Sequence, residues 1–148
     1  MDDDRPSFLL VDGNNIIHAW ADLAALHRRS RGSAHRELIK QLTCYQDFAG
    51  DRVVVVFDGR GDRTAEEREP GGIQVFYTSG DKTADDVIER LAVKYVDTYR
   101  ITVATDDRAE QDGVVAAGGE AISSDALRGR IDAAEARMND WLGRRSEF

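Results

Sequence analysis

The sequence predicts an α/β fold built on a mostly parallel sheet that is covered by helices on both faces. Short β-branched or apolar runs recur along the 148 residues, and between them the apolar period changes from two residues to about 3.6. Strands alternating with helices imply right-handed crossovers, which yield a parallel sheet. The length suits one continuous domain over residues 1–148, able to bury roughly two thirds of its unfolded surface without a disulfide or structural metal.

The elements follow in order. Residues 7–11 are apolar and end in Asp12-Gly13-Asn14-Asn15, a strand followed by a turn. Ile16, Ile17, Trp20, Leu23 and Leu26 then mark a first helix, and Leu38, Leu42, Tyr45 and Phe48 a second with Ser33 as its N-cap. Residues 52–57 form a β-branched run ending in Asp58-Gly59. Residues 60–72 are polar and Gly-rich, which predicts a surface loop, and residues 73–78 return to strand character. Thr83-Ala84-Asp85-Asp86 reads as a capping box opening a third helix along Val87, Ile88, Leu91, Ala92 and Tyr95. Residues 100–105 are a fourth strand, residues 108–117 a short helix stopped by Gly118-Gly119, and residues 120–123 a weaker fifth strand. Leu127, Ile131, Ala134, Met138, Trp141 and Leu142 form the stripe of a C-terminal helix.

Composition narrows the function. The longest apolar run, residues 53–57, is far short of the roughly 20 residues that cross a bilayer. The acidic start, Met1-Asp2-Asp3-Asp4-Arg5-Pro6, has no apolar export signal, and the single Cys44 suits a reducing compartment, so the expectation is a cytoplasmic protein. A net charge of −8 argues against a polycation that coats nucleic acid. It leaves room for an enzyme whose carboxylates are gathered in one cleft.

In open sheets of this kind ligands bind outside the carboxyl ends of the strands. Asp12, Asp58 and the pair Asp106-Asp107 end three of the strands, and Asp85 opens the helix after another. Carboxylates converging on one edge repel one another, a conflict that a divalent cation resolves. All-oxygen ligands without His or Cys favour Mg2+ or Mn2+ over zinc. Glu89, four residues after Asp85 on the same helical face, is a further candidate ligand or water-orienting group. Each Asp taken singly also has an ordinary use as a turn former or helix cap. His18 and Trp20 could contact a base by hydrogen bonding or stacking, but Trp20 is expected in the core, and for His18 a partly buried structural hydrogen bond is the alternative.

The segments Val11-Asp12-Gly13-Asn14-Asn15-Ile16-Ile17-His18-Ala19-Trp20, Val56-Phe57-Asp58, Thr83-Ala84-Asp85-Asp86-Val87-Ile88-Glu89 and Thr105-Asp106-Asp107-Arg108-Ala109-Glu110-Gln111 together resemble the YacP-type branch of the NYN-domain proteins. These are PIN-like, metal-dependent ribonucleases, and the resemblance spans nearly the whole chain. It implies a three-layer PIN-like fold with a sheet of four or five strands. It also implies that Asp12, Asp85 and Asp107 hold the metal, that Asn15 belongs to the site, and that Asp106 stands where the family has serine. Asn14 replaces the family's usual tyrosine. The implied activity is endonucleolytic hydrolysis of RNA, with mRNA at the ribosome as one setting. Magnesium or manganese would activate water and neutralise the leaving oxygen.

Residues 27–40 carry five Arg or Lys against Glu37 alone, which makes Arg28, Arg29, Arg31 and Arg36 candidate phosphate contacts. The resemblance adds weight to Arg36. Two rival functions are a non-catalytic RNA- or ribosome-binding module of the same fold and a Mg2+-dependent phosphohydrolase of small esters. The second would want a nucleophilic Asp-x-Asp on the first strand, where this chain has Asp12-Gly13-Asn14. A monomer is expected, the C-terminal stripe covering the chain's own sheet.

Overall fold

The computed structural model describes residues 3–59, 65–68 and 72–145. Six strands form one sheet: β1 (Ser7–Asp12), β2 (Arg52–Phe57), β3 (Ala65–Arg68), β4 (Gln74–Tyr77), β5 (Arg100–Ala104) and β6 (Glu120–Ile122). Their spatial order is β3-β4-β2-β1-β5-β6, with β3 antiparallel at one edge and the other five parallel. The expected polar loop over residues 60–72 therefore contains an edge strand, and residues 60–64 and 69–71 lie outside the described residues. Glu66 and Glu67 gave β3 no apolar signature; its pairing with β4 is a tertiary effect.

The helices are α1 (Gly13–Ala19), α2 (Ala21–Arg29), α3 (Arg31–Ala49), α4 (Ala84–Tyr95), α5 (Arg108–Ala117) and α6 (Ser124–Arg145). The strand pleat sends Leu9, Val11, Val53, Val55, Phe57 and Val75 into a core under α1, α2, α3 and α6. Leu10, Val54, Val56, Ile101 and Val103 face the other way, against α4 and α5. Because both faces are covered, the central strands read as continuous apolar runs. Among the described residues no helix is long and apolar enough to cross a membrane.

Several local expectations change. The first helix divides at Trp20, whose extended backbone (φ −95°, ψ 119°) ends α1 and starts α2. The indole is 5% exposed, donates from Nε1 to the Ser124 carbonyl at 3.2 Å, and carries the Arg128 guanidinium 4.5 Å above its ring, so Trp20 is a core anchor. His18 is exposed, and its ring meets that of His27 edge-on at 5.0 Å. The N-cap of α3 is Ser30, not Ser33: the Ser30 hydroxyl accepts from the Ser33 amide. Thr83 caps α4 as expected, accepting from the Asp86 amide, and Gly118 ends α5 with φ +104°. On α6, Leu127, Ile131 and Ala134 are buried, whereas Trp141 and Leu142 stand 40% and 48% exposed.

Glycine is required where elements touch at the carboxyl edge. A Cβ on Gly13 would stand 2.5 Å from the Phe57 ring, and one on Gly59 would stand 1.9 Å from the Thr78 carbonyl oxygen. The first contact brings the start of α1 against the end of β2, and the second brings the ends of β2 and β4 together.

Candidate functional site

The chain leaves β1 toward β2 on one side, through α1, α2 and α3, and later reaches β5 on the other side of β1. The carboxyl end of β1 is thus a topological switch point, and Asp12 sits on it. Asp12 is 7% exposed and occupies the N-cap position of α1 without making a side-chain capping bond. The Asn15 amide, in the first turn of α1, acts on this carboxylate without meeting it in good capping geometry.

Facing Asp12 is Glu110 from α5, which is 1% exposed. Neither Glu110 carboxyl oxygen finds a donor in good geometry among the described residues. Its surroundings are the Asp12 carboxyl and the Thr105 hydroxyl, with the charge of Asp85 also acting on it. Burial first, then the Asp12 carboxylate, raises the Glu110 carboxyl to about 9. Burial also raises Asp12, and the charges of Asp58 and Asp85 push the same way. Near neutral pH, Glu110 is therefore the protonated member of a buried acid pair. Sharing a proton is one way for two buried acids to coexist, and a positive charge placed between them is another.

Asp85, in the first turn of α4, turns its Oδ1 onto the Thr83 hydroxyl and accepts from the Asp86 amide at 3.1 Å. Asp58 holds the same helix start from β2: its Oδ1 accepts from the Ala84 amide at 2.8 Å. Asn14 and Asn15 lace the edge together. Asn14 Oδ1 accepts from the Asp58 amide at 3.0 Å, and Asn15 Oδ1 accepts from the Asp106 amide at 2.9 Å. These amide side chains tie β1 to β2 and to the end of β5 without adding negative charge.

The remaining sequence candidates have other uses. Asp106, expected as a possible ligand, turns both oxygens to Ser124, accepting from its amide at 2.7 Å and its hydroxyl at 2.6 Å, and so caps α6. Asp107 is exposed and caps α5, its Oδ1 accepting from the Glu110 amide at 3.1 Å. Glu89 lies against α5, where a Cβ on Gly113 would meet its Oε1 at 3.2 Å. Among the described residues no three His, Cys, Asp or Glu side chains already form a metal cage. What the edge offers is an all-oxygen donor set, in which the Asp12 and Glu110 carboxyls act on each other and Glu110 also meets the Thr105 hydroxyl.

Glu110 is the residue that the sequence reading passed over as a site. Its signal was an acidic side chain at a buried helical position, four residues before the core Val114. The spacing Asp107-x-x-Glu110 masks it, because that pattern also reads as a capping box.

The basic stretch is divided between two helices. Arg28 and Arg29 end α2 and are exposed. Arg31 begins α3 and donates from Nη2 to the Asp58 carbonyl at 3.0 Å, beside the acidic edge, while Arg36 is exposed and donates to the Ser33 hydroxyl at 3.0 Å.

Comparison with known proteins agrees with this architecture. The sequence matches the YacP-like NYN domain over residues 9–147. It is 35% identical over 132 residues to the YacP protein of Bacillus subtilis (strain 168), covering 88% of this chain and 78% of that protein. The fold is similar to the crystal structure of Rae1 (YacP) from Bacillus subtilis, with a TM-score of 0.80 at 32% identity over 99% of this chain and 83% of the other. The W164L mutant of the same protein gives a TM-score of 0.81 at 32% identity, over 96% and 84% of the two chains. A six-stranded α/β fold with an acid pair at its switch point, matched from Leu9 almost to the C-terminus, makes this chain a member of the YacP-like NYN family, whose domains are nuclease-like.

Proposed function

We propose that the protein is a metal-dependent endoribonuclease that hydrolyses RNA phosphodiester bonds at the carboxyl edge of its sheet. The observation that carries the reading is the buried pair Asp12–Glu110 at the switch point, two acid side chains brought together with no protein cation among the groups acting on either. A non-catalytic RNA-binding module would have no use for two acids held in that position.

Asp12, Asp85 and Glu110 would hold Mg2+ or Mn2+, with Asp107 at the exposed rim. The all-oxygen donor set fits those ions. When bound, the ion supplies positive charge to a phosphodiester and makes water a better nucleophile near neutral pH. The protein's own part is to hold the acids together: Asp58 fixes the start of α4, and Asn15 fixes the loop after β5. Glu110 keeps a proton while the site is empty of positive charge and releases it when a cation arrives. Arg31, bonded to the Asp58 carbonyl, adds a cation next to the acidic edge for the RNA backbone.

The test is cleavage of structured and single-stranded RNA, free and ribosome-bound, with Mg2+ or Mn2+ and with a chelator. Metal-dependent endonucleolytic products are expected, and Asp12→Asn or Asp85→Asn should remove them. Cleavage unaffected by both substitutions, or by the chelator, would overturn the reading.

A further inference from the structure

Two adjoining clefts lie along α3, the inner one beside Asp58. The inner one, about 270 Å³, is lined by Arg31, His35, Asp58 and Tyr77; the outer one, about 630 Å³, is lined by His35, Arg36, Lys40 and Tyr77. Sharing His35 and Tyr77, they form one groove that starts at the carboxylate edge and runs along α3. Gly32, His35, Arg36, Ile39, Lys40 and Thr43 supply its α3 wall, a spacing of i, i+3, i+4, i+7, i+8 and i+11 that marks a single helix face. Such a face extends about 16 Å, at the helical rise of about 1.5 Å per residue.

The floor is aromatic. The His35 ring stacks on Phe57 at 4.0 Å, Tyr77 stacks on Phe57 at 5.5 Å, and His35 and Tyr77 lie 6.0 Å apart. Phe57 is fully buried behind the groove and His35 is 6% exposed, so the half-buried Tyr77 is the ring a base can reach, and the core holds it from beneath. Among the described residues that line it, Arg31, Arg36 and Lys40 are cations, and Asp58, at the acidic end, is the carboxylate. On a chain with net charge −8, this groove is complementary to a polyanion. An aromatic platform between cations is the chemistry that single-stranded nucleic acid uses, bases on the rings and phosphates on the cations. A duplex keeps its bases stacked on one another and has no use for the platform.

We infer that this groove is a subsite for single-stranded RNA, with Tyr77 as a base-stacking platform and Arg36 and Lys40 as phosphate contacts leading the strand to the acidic edge. The inference rests on the proposed nuclease reading for the identity of the polyanion. It assigns the track to α3, whereas Arg28 and Arg29 line neither cleft.

The experiment measures binding of a short fluorescein-labelled oligouridylate by anisotropy in a chelator, so that no cleavage is read. Tyr77→Leu should weaken binding roughly tenfold or more, while Tyr77→Phe should bind as the parent does. Arg36→Gln combined with Lys40→Gln should reduce the slope of log affinity against log salt by about 1.4, as expected for two phosphate contacts to a single strand. Arg28→Gln with Arg29→Gln should change affinity less. Because Tyr77 is half-buried, the exposed Arg36 and Lys40 pair carries the test if Tyr77→Leu does not fold. Equal losses from the α2 and α3 pairs, an unaffected folded Tyr77→Leu, or equally effective competition by duplex RNA or polyglutamate would overturn the inference. Metal-dependent cleavage that survives such a result would leave the nuclease reading standing, and normal binding without any cleavage would do the reverse.

Discussion

At the scale of the residue, the account turns on Asp12 and Glu110. Replacing Glu110 by Gln removes the ionisable partner while preserving volume, so its effects on stability and activity should diverge. A carboxyl raised from its ordinary 4.5 to about 9 in the native state binds its proton more tightly than in the unfolded chain. That contribution to stability is complete below pH 4.5 and is lost as pH rises toward 9. Glu110→Gln should therefore match the parent's melting temperature near pH 4.5 and exceed it at pH 8 without metal, each 1 kcal/mol of relief being worth roughly 2–4 °C. The same variant should cleave RNA more slowly than the parent. Thermal melts across pH check the first half; a variant less stable than the parent at pH 8 would contradict it. Asp12 and Asp85 stood out in the sequence by position alone, but the role of Glu110 depends on which way α5 faces, and no spacing states that. Asp106 and Asp58 illustrate the converse, since an Asp at a strand end is equally suited to capping the next helix, as Asp106 does for α6.

At the scale of the element, periodicity located helices well and their joints less well. The apolar stripe runs continuously through Ile16, Ile17, Trp20 and Leu23, yet the backbone breaks at Trp20 because the indole must reach the Ser124 carbonyl. β3 escaped notice because an antiparallel edge strand draws its bonds from β4 and needs no apolar face of its own. The C-terminal stripe was legible along its whole length, although packing fully buries only its first half; Met138 meets Cys44 and Trp141 lies edge-on to Phe48 on the more exposed remainder. Ile131 is 1% exposed and Leu142 48%, so Ile131→Ala should cost about 2–5 kcal/mol and Leu142→Ala well under 1. Chemical denaturation of the two variants measures this, and similar midpoints would place the end of α6 against a surface the fold does not show.

At the scale of the whole molecule, the strand order decides where chemistry can occur. Alternating strands and helices indicated a parallel sheet with its ligand edge at the carboxyl ends, and the order around β1 puts the switch point at Asp12. Separation of the basic stretch onto two helices could not be read from the sequence, since it follows from how α2 and α3 pack. Packing also sets the acid limb of stability. Burial, followed by Arg31, His27 and Arg36, lowers His35 to about 4 from its ordinary 6.5. The unfolded chain then takes up a proton that the native one refuses, so stability present above pH 6.5 is lost as pH falls toward 4. His35→Phe, which keeps a ring on Phe57, should flatten that limb in thermal melts between pH 7 and 4.5; an unchanged limb would remove His35 as its cause.

The central claim is that folding gathers acids from β1, α4 and α5 into one cation-binding edge. Mn2+ binding followed by electron paramagnetic resonance tests it most directly. The parent should take up Mn2+, and Asp12→Asn should weaken that uptake by more than the roughly 10- to 100-fold typical of groups that only support a ligand. Equal Mn2+ uptake by parent and Asp12→Asn, or none by the folded parent, would contradict it.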